Sequence, residues 1–145
     1  MANFRQVADR VFVSPQITED DIAEAAADGF TLIINNRPDG EEPGQPANET
    51  LQSVANDKGL AWATAQITSG QPGMDAVEAM AGALNGEDGK VLAYCRSGTR
   101  SCMLWAMAEA MTGTLSTGEI LNRAQGAGYD MSPLAPTLDH LRGNR

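Results

Sequence analysis

The chain has 145 residues, of which 42% are hydrophobic and 20% charged, with a formal net charge of −9. That length suits one domain with a real core and is short for two. The acidic surplus argues against a nucleic-acid or anionic-membrane surface, since both would repel it. No apolar run approaches spanning length, and "MANFRQVADRVFV" lacks the apolar core of a signal peptide. Two cysteines make no disulfide framework, which predicts a reducing, cytoplasmic setting. One histidine, His140, and no paired cysteine motif leave too few soft ligands for zinc. No ordered carboxylate cluster suggests a hard cation, and no cofactor is expected.

Apolar runs and helical stretches alternate along the chain. "RVFVS" (10–14) reads as a strand and "TEDDIAEAAADG" (18–29) as a helix. Thr18 is its expected N-cap, with Asp20 and Asp21 in the first turn and Gly29 after its end. "FTLIIN" (30–35) is a β-branched run too short for a buried helix, and so a central strand. Three Pro and two Gly make "NRPDGEEPGQPAN" (36–48) a loop. Asn48 is the expected cap of a helix over 49–58. "LAWATAQI" (60–67) returns as a strand, the loop "TSGQPG" follows, and a helix runs from Asp75 to about Asn85. "KVLAYC" (90–95) is the last strand, and only helices follow, over 100–112, 117–126 and 134–142. Strands alternating with helices predict an α/β fold with a parallel-core sheet covered on both faces. Ligands of such sheets bind at the carboxyl ends of the strands, where Cys95 stands.

Around that end the chain reads "AYCRSGTRSC", residues 93–102. A thiol at a strand end, followed by a glycine loop that opens a helix, is suited to holding an anion. Backbone N–H groups of Arg96, Ser97, Gly98 and Thr99 can form a nest, with the positive end of the helix behind them. Arg100 adds a forked, permanently charged donor set. These groups are expected to lower the pKa of the Cys95 thiol and to hold an oxyanion beside it, the arrangement of covalent catalysis. Ser101 is expected to hydrogen-bond the sulfur.

"YCRSGTRS", together with "NNRPDGEEPGQP" and "VFVSPQIT", resembles the beta-lactamase-hydrolase-like, phosphatase-like domain family. The resemblance covers nearly the whole chain. It implies a fold akin to the tyrosine and dual-specificity phosphatases. It also implies that the domain stands alone or partners a metallo-hydrolase or oxidoreductase of sulfide metabolism. Members have been described both as phosphatases and as sulfur transferases, so the family leaves the reaction open.

The residues separate the two reactions. Phosphatases of this fold resemble His-Cys-x5-Arg; here four residues lie between Cys95 and Arg100, and Tyr94 replaces the histidine. "TSGQPG" holds no acid where such phosphatases carry their proton donor, and Asp75 comes only with the next helix. Asp39 is a possible substitute acid, although an Asp-Gly turn explains it equally. The short loop instead resembles that of rhodaneses, which carry sulfur as a cysteine persulfide. Rhodaneses end with a further strand, of which the segment after Thr112 shows no sign.

Arg37, closing the second strand, either adds charge to the anion pocket or pairs with Glu41 or Glu42. By helical angle Cys102 lies off the apolar stripe of Met103, Met107 and Met111, which makes it no obvious core residue and a bystander to the chemistry. Trp62 and Trp105 read as structural and His140 as solvent-facing. The expected function is sulfur transfer from a small anionic donor, thiosulfate or a persulfide, through a Cys95 persulfide. The alternatives are hydrolysis of a phosphate ester through a phosphocysteine and a non-catalytic anion- or phosphopeptide-binding module.

Overall fold

The computed structural model describes residues 3–67 and 72–143. Five strands form one sheet: β1 (Arg5–Ala8), β2 (Val11–Ser14), β3 (Phe30–Asn35), β4 (Ala61–Thr64) and β5 (Lys90–Tyr94), in the order β1-β2-β5-β3-β4. Strands β2, β5, β3 and β4 are mutually parallel, and β1 joins the β2 edge antiparallel. The parallel core matches the expectation; β1 does not. "RQVA" has no clean apolar alternation, and only the tight turn into β2 gives it a partner.

Among the described residues there are six α-helices, α1 (Glu19–Ala27), α2 (Asn48–Asp57), α3 (Met74–Asn85), α4 (Thr99–Thr112), α5 (Thr117–Gly126) and α6 (Ala135–Gly143), the last packed on α4 and α5. A short 3₁₀ turn, Ser132–Leu134, leads into α6. Alternate side chains of each strand feed two cores. Val11, Val13, Leu32, Ile34, Val91 and Ala93 meet α3 to α6 on one face. Ile33, Leu92 and Tyr94 meet Ile22 and Ala25 of α1 and Leu51 and Ala55 of α2 on the other. Buried on both faces, β5 reads as a continuous apolar run. After β5 the described residues form only helices, as expected from the lack of β-branched runs there.

Local signals place most boundaries. The Thr18 hydroxyl accepts from the Asp21 amide while the Asp21 carboxylate accepts from the Thr18 amide, a reciprocal cap that starts α1. Asn48 is not the cap of α2 but its first residue; the cap position is Ala47, and the Asn48 side chain is used elsewhere. Strand β4 is shorter than the apolar run 60–67, because only Ala61–Thr64 pairs along β3. Cys102 proves fully buried, a correction to its placement off the core face. Helix α4 is enclosed on nearly all sides, so an apolar stripe does not define its buried residues. Of the methionine stripe, Met107 is buried and Met103 and Met111 lie half-buried against the same core. Trp105 is core, Trp62 packs edge-on against Tyr94, and His140 is exposed. Among the described residues no helix is long and apolar enough to cross a membrane.

Thr18→Ala removes one half of the α1 cap. It is expected to lower stability by about 1 kcal/mol, read as a lower urea midpoint at unchanged slope.

Candidate active site

The carboxyl ends of β2, β5, β3 and β4 open on one edge of the sheet, and backbone hydrogen bonds lace their loops together. The Cys95 amide donates to Ser14 O (3.3 Å), the Gln16 amide to Arg96 O (3.2 Å), the Asn36 amide to Tyr94 O (3.0 Å) and the Ile67 amide to Asn36 O (3.3 Å). Cys95 directly follows the central strand and is fully buried. Its sulfur accepts a hydrogen bond from the Gly98 amide at 3.1 Å. Gly98 is the N-cap of α4 and has φ 91°, a left-handed conformation that favours glycine. The loop thus delivers one N–H and the positive end of a 14-residue helix to the thiol.

Arg100 lies in the first turn of α4. Its guanidinium makes paired bonds to the Glu41 carboxylate, at 2.8 and 2.7 Å, and a third to Ile67 O at 2.9 Å. Glu41 above all, and the nearby Cys95 sulfur as well, favour the charged guanidinium. Glu41 is held at about 2, mainly by hydrogen bonding to Arg100 and further by Arg37, against some loss from desolvation. The Arg37 side chain is completely enclosed; it binds Glu41 (2.8 Å), Glu42 (3.1 Å) and Gln16 (2.9 Å). Of the two roles open to Arg37, the structure takes the pairing with both glutamates. It is linked to the cysteine loop through Glu41 to Arg100 and through Glu42 to Arg96.

The remaining expected site residues divide. Exposed Arg96 approaches Glu42 at 3.4 Å. The Ser97 hydroxyl bonds the Thr99 hydroxyl at 3.0 Å. Ser101 does not bond the sulfur: its hydroxyl is buried and has no partner among the described residues. Asp39 accepts from the Asn48 amide at 2.8 Å and so ties the loop to the start of α2. The Asn48 side chain donates to Arg37 O and accepts from the Tyr94 hydroxyl at 2.7 Å. Burial keeps that phenol protonated, well above its usual range. "TSGQPG" contains no acid by sequence; residues 68–71 lie outside the described residues. Burial, and then the neighbouring Cys95, push the Cys102 thiol up to about 12. Both cysteines are free.

Two contacts here were not foreseen from sequence. That Glu41 and Arg100 meet has no local signal, since 59 positions separate them. Tyr129, whose hydroxyl donates to Ser97 O at 3.1 Å, follows α5 and is equally remote. No group of three or more metal-ligating side chains is assembled among the described residues.

A sheet with a parallel core, a buried cysteine just beyond its central strand, a short arginine-bearing loop and a helix behind it defines a phosphatase-like domain. Its fold is that of the tyrosine and dual-specificity phosphatases. Tk-PTP in its active form matches with a TM-score of 0.78 over 99% of this chain and 98% of that one, at 18% identity, a likeness of fold. A candidate phosphatase from Neisseria meningitidis matches with a TM-score of 0.83 and 31% identity, over 98% of this chain and all of the other. The chain belongs to the family of the beta-lactamase hydrolase-like protein, phosphatase-like domain, whose sequence model matches residues 3–112. A beta-lactamase hydrolase-like protein of Xylella fastidiosa strain 9a5c is 34% identical over 133 residues, which are 92% of this chain and 31% of that protein. The chain thus spans about a third of the length of the curated relatives it matches.

Glu41→Gln is expected to lower stability at neutral pH, because it strips a carboxylate from a buried guanidinium. A folded value near 2 lies below the ordinary 4.5. The stabilisation is therefore complete above that ordinary value and is lost as pH falls toward the folded one. The gap between wild type and Glu41→Gln should close over that window in denaturation series at stepped pH. A gap constant with pH would show that the ion pairs do not supply it.

Proposed function

We propose that the domain is a cysteine-dependent group-transfer enzyme whose transferred group is a sulfane sulfur. The observation that carries this reading is the employment of the site's carboxylates. Glu41, beside Arg100, is held ionised at about 2 and cannot give up a proton at neutral pH. Asp39 is occupied at the start of α2. Expelling an alkoxide from a phosphate ester needs a proton in the transition state, and such general acids typically contribute about 10²- to 10⁴-fold. Sulfur transfer from thiosulfate has no such need.

The proposed step balances without a cofactor. The Cys95 thiolate attacks the outer sulfur of thiosulfate and forms a new S–S bond. The donor's S–S bond breaks, and sulfite leaves with its electron pair. Cys95 is left as a persulfide anion, which the Gly98 N–H and the start of α4 can stabilise as they do the thiolate. A thiophilic nucleophile such as cyanide then takes the outer sulfur and restores the thiolate. Arg100 binds the donor's sulfonate oxygens by sharing its guanidinium with Glu41, and the loop amides of Arg96 to Thr99 complete the anion's surroundings. The longer relatives leave room for a physiological donor or acceptor module, a metallo-hydrolase or oxidoreductase, to act alongside the domain.

Phosphate-ester hydrolysis is the second reading. It is favoured by the fold and by the family description, and one preparation tests both. Incubation with thiosulfate should add the mass of one sulfur to Cys95, and cyanide should release it as thiocyanate; Cys95→Ser should lose both. Phosphoserine and phosphotyrosine peptides should be hydrolysed negligibly, whereas weak aryl-phosphatase activity is compatible with a missing acid. Brisk peptide dephosphorylation without thiocyanate would establish the second reading. Alkylation at pH 6 should label Cys95 and spare Cys102, whose thiol lies too high to ionise there. Equal labelling would remove Cys95 from its role.

A further inference from the structure

One peptide unit of the loop is held at both of its ends. Its N–H, that of Gly98, donates to the Cys95 sulfur at 3.1 Å. Its carbonyl, that of Ser97, accepts from the Tyr129 hydroxyl at 3.1 Å. In a trans peptide the C=O and N–H point in opposite directions, and the described residues contain no cis bond. A hydrogen bond that holds the carbonyl outward therefore holds the N–H inward, onto sulfur. The flipped peptide would aim a carbonyl dipole at the thiolate and repel it. Glycine at position 98 makes such a flip sterically inexpensive, because it takes positive and negative φ about equally well.

We infer that Tyr129 is a positioning residue for Cys95: its hydroxyl fixes the Ser97–Gly98 peptide in the orientation that stabilises the thiolate. The residue lies outside the span, 3–112, matched by the family model. The protein builds it a seat of its own. Gly128, with φ 97°, turns the chain after α5, and the Tyr129 amide returns to Ala124 O at 2.9 Å. Arg5 of β1 lies 5.1 Å from the centroid of the ring. The ring is buried, and its hydroxyl stands where a side chain on Gly98 would have to go. Tyr129 thus both selects glycine at 98 and orients it. The groups that act electrostatically on this thiol environment are Arg100, with Glu41 on its far side, Cys102 and Tyr129 itself. Arg5 faces Tyr129 from β1.

This inference rests on the reading of Cys95 as the reactive thiol. It is tested on the full chain by the pH profile of Cys95 alkylation with iodoacetamide, followed by peptide mass. Tyr129→Phe keeps the ring and its packing beneath Arg5 and loses only the donor. Its profile should move to higher pH, with labelling at pH 6 about two- to tenfold slower, the scale of one weakened hydrogen bond to a charged group. A p-aminophenylalanine at position 129, which restores a donor, should move the profile back. A Tyr129→Phe profile that superimposes on a reactive wild type overturns the inference and leaves the role of Cys95 standing. If wild-type Cys95 reacts no faster than Cys102, the functional reading fails and the inference with it. Should Tyr129→Phe not fold, the wild type still decides: the Gly98 amide proton, followed by NMR, must shift as the thiol ionises. A Gly98 resonance that ignores the ionisation overturns the inference.

Discussion

A buried guanidinium must be paired, and in this protein that requirement arranges the site. Arg37 has no exposed surface in its side chain and lies two residues beyond the end of β3, the strand next to the central one. Leaving such a charge unpaired inside a protein costs several kcal/mol, on the order of 3–5. The loop after β3 therefore has to fold back so that Glu41 and Glu42 reach it. Once Glu41 is fixed by Arg37, its carboxylate is in place to take both nitrogens of Arg100 from across the site. The position of the Arg100 guanidinium is thus inherited from Arg37, on the other side of Glu41.

The same linkage sets the electrostatics. Arg37, Arg96 and Arg100 alternate with Glu41 and Glu42 in one chain of ion pairs. Three positive charges meet two negative ones, so the mouth carries little surplus charge of its own. The polarity beside Cys95 is then directional: the Gly98 N–H, the start of α4 and the guanidinium of Arg100. Arg100 is engaged by a carboxylate that stays ionised throughout the physiological range. A carboxylate pinned so low braces the site and donates no proton, and the proposal of sulfur transfer starts from that constraint.

Burial supplies the stiffness this needs. Helix α4 is enclosed by the sheet and by α3, α5 and α6, so its first turn cannot drift relative to Cys95. On the opposite face Tyr94 is pinned by Asn48, which also holds the Arg37 carbonyl. The two loops that form the site are anchored to opposite cores of one sheet. Beyond α4, the turn after α5 closes over the outer side of the cysteine loop through Tyr129.

Much of this was legible in the residues. The apolar runs "FTLIIN" and "KVLAY" read as buried strands, Thr18 with Asp21 announced a helix start, and Cys95-x4-Arg100 with its glycine marked the loop that opens α4, because each signal is local. The signals misread were those whose meaning depends on neighbours distant in sequence. "RQVA" becomes a strand only when β2 offers an edge, Cys102 is core only because α4 is covered on nearly every side, and Asn48 serves Tyr94 and Arg37 rather than capping α2. The sequence by itself determined the strand and helix periods and the residue types of the loop, since backbone propensity and residue type act over a few positions. Only the tertiary structure decided that Glu41 holds Arg100 and that Tyr129 holds the Ser97 carbonyl, because those contacts join residues 59 and 32 positions apart and exist only once the sheet has brought its loops to one edge.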